Sequence, residues 1–223
     1  MPEQLVRPAP VAPGRALPLV PPRGRARLER RARVLAWGGI GWHVVEFAIA
    51  LAAGVAAGSI ALIGFGADSL VEALAGFVVV WRFTGARVGS QGAERRAQQL
   101  IATSFFVLAA YVGAEAIRAL VAGDRPGTSW VGVGLAAFTA ATMPLLALLK
   151  RRVGRQLSSS ATVKEGAQNM VCAYLSVGLL AGLLLNALAG WWWADPAAAL
   201  LIAVVALREG RQSWRGEGCC ELC

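Results

Sequence analysis

Apolar positions along the chain gather into six runs, at about 35–57, 60–81, 99–121, 129–149, 166–190 and 196–213. A helix crosses the hydrocarbon core of a bilayer with about 20 residues at roughly 1.5 Å rise each. The runs are sustained, not alternating, which suits helices with lipid on one side and protein on the other. The pattern predicts an all-α membrane protein, a bundle of six transmembrane helices over residues 34–214, with no solenoid-type repeat and no second folded domain. The uncharged link from Gly54 to Ser59 is short enough to make spans one and two an antiparallel pair. Gly123-Asp124-Arg125-Pro126-Gly127 reads as a turn, and Pro144 predicts a kink in span four. Asp195-Pro196 reads as the N-cap and first helical position of span six.

Composition agrees: 57% of residues are hydrophobic and the mean hydropathy is +0.56, too apolar for an ordinary soluble domain of 223 residues. Charge adds orientation. Of the 22 Lys and Arg, all but Arg118 and Arg125 lie before span one, between spans two and three, between spans four and five, or after span six. The positive-inside rule then places both termini and the two longer links in the cytoplasm. The net charge of +9 and the pI of about 10.6 are thereby read as topology, and nucleic-acid binding is set aside because the charge follows the links instead of lining one face. Residues 1–33, rich in Pro and Arg and without the apolar core of a signal peptide, are expected to form a disordered basic cytoplasmic arm beside anionic headgroups. Residues 215–223 form a cytoplasmic tail. Its Cys219, Cys220 and Cys223 are read either as unstructured or as a thiolate metal trap, a disulfide being disfavoured in that compartment. Arg supplies nearly all of the basic residues, the usage of a high-GC genome. The expected location is a bacterial inner membrane, crossed several times.

The polar residues inside the spans carry the chemistry. Asp68 and Glu72 lie four apart in span two, so they share a helix face. An intramembrane carboxylate marks a functional site by default. Pairing with a structural cation is the other reading, but this span has none before Arg82 at its end. Span one adds His43, the single histidine, and Glu46 three residues on, each read as a metal ligand or as a packing residue. By depth, Glu46, Asp68 and Glu72 all fall near mid-membrane. Span five opens with Glu165, Gln168, Asn169 and Cys172 at i, i+3, i+4 and i+7, a polar stripe that serves either interhelical bonding or an ion path. Cys172 is either a small buried apolar residue or a soft sulfur ligand suited to zinc. Thr139 and Thr142 are equally explained as packing or as oxygen donors. Glu115 and Arg118 are expected to neutralise each other. Gly178-Leu-Leu-Ala-Gly182 signals a close helix contact within or between subunits, and Trp191-Trp192-Trp193 suits an interfacial belt.

Gly54-xxx-Gly58-Ser59-Ile60-Ala61-Leu62 followed by Asp68-Ser69-Leu70-Val71-Glu72 resembles the second helix of the cation diffusion facilitator, or cation efflux, family. Trp193-Ala-Asp195-Pro196-Ala-Ala-Ala-Leu200 through Gly210 resembles the family's sixth helix. The likeness covers residues 35–213. It implies a six-helix transporter of divalent metal with Asp68 and Glu72 at the two second-helix ligand positions, Glu replacing the usual Asp at the latter. The family's fifth helix supplies His-xxx-Asp; the matching positions here are Gln168-xxx-Cys172. Because Gln168 and Cys172 sit nearer the cytoplasm than Asp68, Glu72 with Cys172 is the expected cross-helix pairing. The chain stops soon after span six, so the cytoplasmic domain of many members is expected to be missing; a homodimer is one open assembly.

The resulting expectation is a proton-coupled secondary transporter of a divalent transition metal, zinc first, moving it out of the cytoplasm. The metal is cargo and no resident cofactor is expected. A non-transporting membrane sensor or adaptor with the same fold is the alternative. Enzyme chemistry is not expected: the chain has no His-Glu-xx-His, no Gly-x-Ser-x-Gly elbow and no phosphate-binding loop.

Overall fold

The computed structural model describes residues 22–82, 91–157 and 159–215, and every regular element among them is a helix. In chain order these are α1 (Pro22–Ala57), α2 (Ile60–Arg82), α3 (Gln91–Ala122), α4 (Trp130–Leu157), α5 (Ser160–Ala189) and α6 (Ala194–Arg215). Each of the six expected apolar runs falls on one helix to within a residue at either end. Five of the helices are long and apolar enough to cross a membrane. The sixth has the length, at 22 residues, but carries Asp195, Arg208, Glu209, Arg211 and Arg215.

Solvation is inverted relative to a soluble bundle. Val107, Ile117, Phe138, Leu145, Tyr174, Val177 and Val204 are half or more exposed, whereas His43, Glu46, Asp68, Ser69, Glu72, Thr139, Asn169 and Ser176 are buried. Hydrocarbon around the bundle satisfies the first group, and only protein partners satisfy the second.

Three antiparallel pairs, α1–α2, α3–α6 and α4–α5, make the most extensive contacts. Helix α2 is the hub, touching α1, α3, α5 and α6; 61% of its apolar window is buried, against 22–39% for the other spans. It begins at a well-formed cap: Gly58 turns the chain at φ +63, and the Ser59 hydroxyl accepts from the Leu62 amide at 3.1 Å. Gly54 permits the tight return, since a Cβ there would stand 2.9 Å from the Ile63 nitrogen.

Several expectations are corrected. Helix α1 starts at Pro22, so residues 22–33 continue the first helix instead of forming part of a disordered arm; residues 1–21 lie outside the described chain. The basic stretches expected as links are largely helical. Helix α3 already runs from Gln91, and α4 carries Lys150, Arg151, Arg152 and Arg155 up to Leu157, so that only positions 158 and 159 separate it from α5. A helix need not stop at the membrane surface; Arg and Lys are good helix formers and continue it into water. Asp195 lies inside the first turn of α6 and caps α2 instead: its carboxylate accepts from the Ser59 hydroxyl and from the Ala61 amide at 3.3 Å. The tail cysteines Cys219, Cys220 and Cys223 lie outside the described residues.

The Gly178-xxx-Gly182 pattern serves a contact within the chain. A Cβ on Gly182 would meet Ala198 Cβ at 2.9 Å and the Ala194 carbonyl oxygen at 3.0 Å, so α5 and α6 touch at backbone distance there. At the same end of the bundle the three turns are tied together. The Gly127 amide donates to the Ala57 carbonyl at 2.7 Å, and Asn186 Nδ2 donates to the Pro126 carbonyl at 3.0 Å. Trp191 and Trp193 stack there with ring centroids 5.3 Å apart.

Candidate metal centre

Four helices enclose the polar centre: α1 with His43 and Glu46, α2 with Ser69 and Glu72, α4 with Thr139, and α5 with Gln168 and Cys172. Glu46 is wholly buried. Its Oε2 accepts from Ser69 Oγ at 2.9 Å and faces His43 Nδ1 at 3.3 Å, while its Oε1 accepts from Thr139 Oγ1. The same His43 Nδ1 lies 3.3 Å from Glu72 Oε2, so one imidazole bridges carboxylates of two helices. Glu72 Oε1 accepts from Gln168 Nε2 at 3.2 Å, and the Cys172 thiol lies against the Glu72 side chain. Glu72 Oε2 itself takes no hydrogen bond. A buried carboxylate oxygen that takes no hydrogen bond, with only the His43 ring 3.3 Å away, keeps lone pairs available to a ligand.

The geometry thus gathers His43, Glu46, Glu72, Gln168 and Cys172. Among the described residues, the ligand atoms of His43, Glu46 and Cys172 all lie within 4.8 Å of one another, and the three residues are buried. Asp68 is buried one turn from Glu72 on α2, outside that three-residue group.

The stripe on α5 divides between two neighbours. Gln168 and Cys172 face the centre, and Asn169 Nδ2 donates to Met143 Sδ of α4 at 3.2 Å. Glu165 pairs at 3.3 Å with Lys150, whose side chain is 6% exposed and whose ammonium stands where a Cβ on Gly39 of α1 would come within 2.9 Å. This largely buried ion pair lies about one helical turn from the centre, toward the α4–α5 turn. Away from it, Arg118 of α3 pairs with Glu115 at 2.7 Å as expected, and also with Asp124 at 3.0 Å. A concavity of about 620 Å³ lies between the end of α1 and the start of α4; alanines of α1 form much of its wall, and no member of the polar centre lines it.

Sequence reasoning assigned no bonding role to Ser69, Lys150 or Ser59. Ser69 offered a usable signal, being three residues before Glu72 and so on the same helix face. Lys150 offered none, because its charge counted equally well as part of a basic link.

Apolar helices with lipid-facing hydrophobic surfaces and a buried nitrogen, oxygen and sulfur centre define a polytopic helical membrane protein. The family follows from comparison: the cation efflux transmembrane domain matches residues 40–215, and the protein belongs to the cation efflux family through that domain. An uncharacterized transporter of the cyanobacterium Synechocystis sp. is 27% identical over 193 residues, a stretch covering 83% of this chain and 61% of the relative. The chain therefore spans less than two thirds of that curated relative's length.

Proposed function

We propose that the protein is a secondary transporter that carries a divalent transition-metal cation, zinc first, through the bundle in exchange for protons. The observation that carries this reading is the convergence of His43, Glu46, Glu72, Gln168 and Cys172 from three helices onto one buried centre. Carboxylates and thiols bind metal in their deprotonated forms, so cation and proton compete for the same atoms, and each passage of one favours release of the other. Asp68, buried one turn along α2, adds a third carboxylate to the route. Relative motion of the helices then opens the centre to either side in turn. The likeness to an uncharacterized transporter of Synechocystis supports transport, and the family's name supports export from the cytoplasm as the direction.

The test is zinc flux into proteoliposomes under an imposed pH gradient. Gradient-driven flux in the wild type, lost in Asp68→Ala and Cys172→Ala, supports the reading. A second reading, a membrane metal sensor or adaptor, is favoured by one observation: Gln168 and Cys172 stand where the fifth helix of the resembled family carries His and Asp. Zinc binding without flux of zinc, cobalt, cadmium or manganese selects that reading.

A further inference from the structure

The donor atoms of the centre divide between residues that aim a ligand and residues free to be one. Gln168 occupies its amide in donating to Glu72 Oε1, so it aims a carboxylate. Nitrogen and sulfur come from elsewhere: His43 of α1 and Cys172 of α5, which with Glu46 form the close three-residue group. Around a tetrahedral ion with ligand bonds of about 2.0–2.3 Å, donors stand about 3.3–3.8 Å apart, so side-chain shifts of roughly 1 Å bring this group to ligation distance. Glu46 is held in place by two hydroxyls, Ser69 Oγ and Thr139 Oγ1, the outer support that fixes a ligating carboxylate. A fourth donor is at hand in Glu72 Oε2, which is buried, lies 3.3 Å from His43 Nδ1 and takes no hydrogen bond.

We infer that the cation seat is a mixed nitrogen, oxygen and sulfur centre built by His43 and Glu46 of α1 and Cys172 of α5 and completed by Glu72 of α2. Its cargo class is thiophilic divalent cations (zinc, cadmium, cobalt) in preference to manganese, magnesium or calcium. This deepens the proposed function and rests on reading the cluster as a cation site. Helix α1 is then a ligand-bearing element, and the seat lies beside Asp68 instead of on it. A thiolate and an imidazole in a four-donor set select softer ions, whereas hard ions keep six or more oxygens, which this group does not supply. As Sγ takes the metal, the thiol proton leaves to water, so charge and protons balance.

The test uses the full chain in detergent with Cys219, Cys220 and Cys223 replaced by Ser, leaving Cys172 as its one thiol. Titration with cobalt is expected to give a sulfur-to-cobalt charge-transfer band and intense tetrahedral ligand-field bands. Cys172→Ser removes the first while helix content by circular dichroism stays constant. Thr139→Val weakens cobalt binding on the order of 10–100-fold by releasing Glu46. Asp68→Asn keeps the charge-transfer band while losing flux. Weak octahedral bands with no charge transfer overturn the inference, as does a spectrum lost in Asp68→Asn and intact in His43→Ala; in either case transport through an α2-centred oxygen site still stands. A sulfur-ligated centre in a protein that moves no metal keeps the inference and removes the transport reading.

Discussion

Thr139 and Thr142 are three residues apart on one helix and look interchangeable along the chain, yet their surroundings differ. Thr139 is fully buried and donates to Glu46, 93 positions away; Thr142 bonds the Phe138 carbonyl of its own helix at 2.8 Å. The rotation of α4 against α1 decides this, and no local pattern encodes that rotation. Thr139→Val is expected to cost about 1–3 kcal/mol, because it strips a buried carboxylate oxygen of its donor. Thr142→Val is expected to stay within about 0.5 kcal/mol. Denaturant titration in detergent micelles, followed by tryptophan fluorescence, checks both. Asp195 shows the same limit: Pro196 beside it pointed to its own helix, whereas its partners are 136 and 134 positions away at the start of α2. Asp195→Ala leaves a buried hydroxyl and amide without an acceptor and should lower stability by about 1–3 kcal/mol in the same assay.

Element boundaries were legible where hydrophobicity changes sharply and misread where a helix passes into water. The start of α2 after Gly58 and Ser59 and the end of α5 at Gly190, with φ +67, follow from residues that cap helices by their own geometry. The long basic ends of α3 and α4 do not, because hydrophobicity reports the membrane and not the helix. Lys150 is the clearest case, a charge at the end of an apolar run that turns inward to Glu165. Lys150→Met leaves Glu165 without its cation in a largely buried position. The expected loss is about 3–5 kcal/mol, largely recovered in the double variant Lys150→Met with Glu165→Gln; a double-mutant cycle on unfolding midpoints measures it. By contrast Arg118→Ala, at an exposed group of α3, is expected to leave the midpoint unchanged. Close contact is also an element property. Gly166→Leu would drive a side chain into the Ala147 carbonyl and the Arg151 backbone of α4, where a Cβ already stands at 2.8 and 3.1 Å; the α4–α5 pair is expected to separate, with a loss of about 1–3 kcal/mol or more.

At the scale of the molecule, the sequence conveyed the six-helix architecture and the carboxylate, thiol and imidazole content of the centre, since both depend on which residues are present in each apolar run. It did not convey which polar side chains meet, since that depends on how four helices are rotated about their axes. Metal binding to this centre is expected to weaken as pH falls, because protons take the carboxylate, thiol and imidazole atoms that the cation needs. Zinc affinity by competition with a fluorescent chelator should therefore decline from neutral to acidic pH, while Asp195→Ala leaves that dependence in place.

The ties among the three turns give the bundle a mechanical polarity. Gly127 to Ala57, Asn186 to Pro126, and Asp195 to Ser59 and Ala61 stitch all six helices at one end by hydrogen bonds between turns and helix starts. Toward the α4–α5 turn, the centre is bounded by the Lys150–Glu165 pair and by the bare backbone of Gly39. The stitched end acts like the hinge of a pair of tweezers, and divergence of the helices at the opposite end leaves its bonds in place. Opening there changes little at the hinge, whereas opening at the hinge requires all of its bonds to part together.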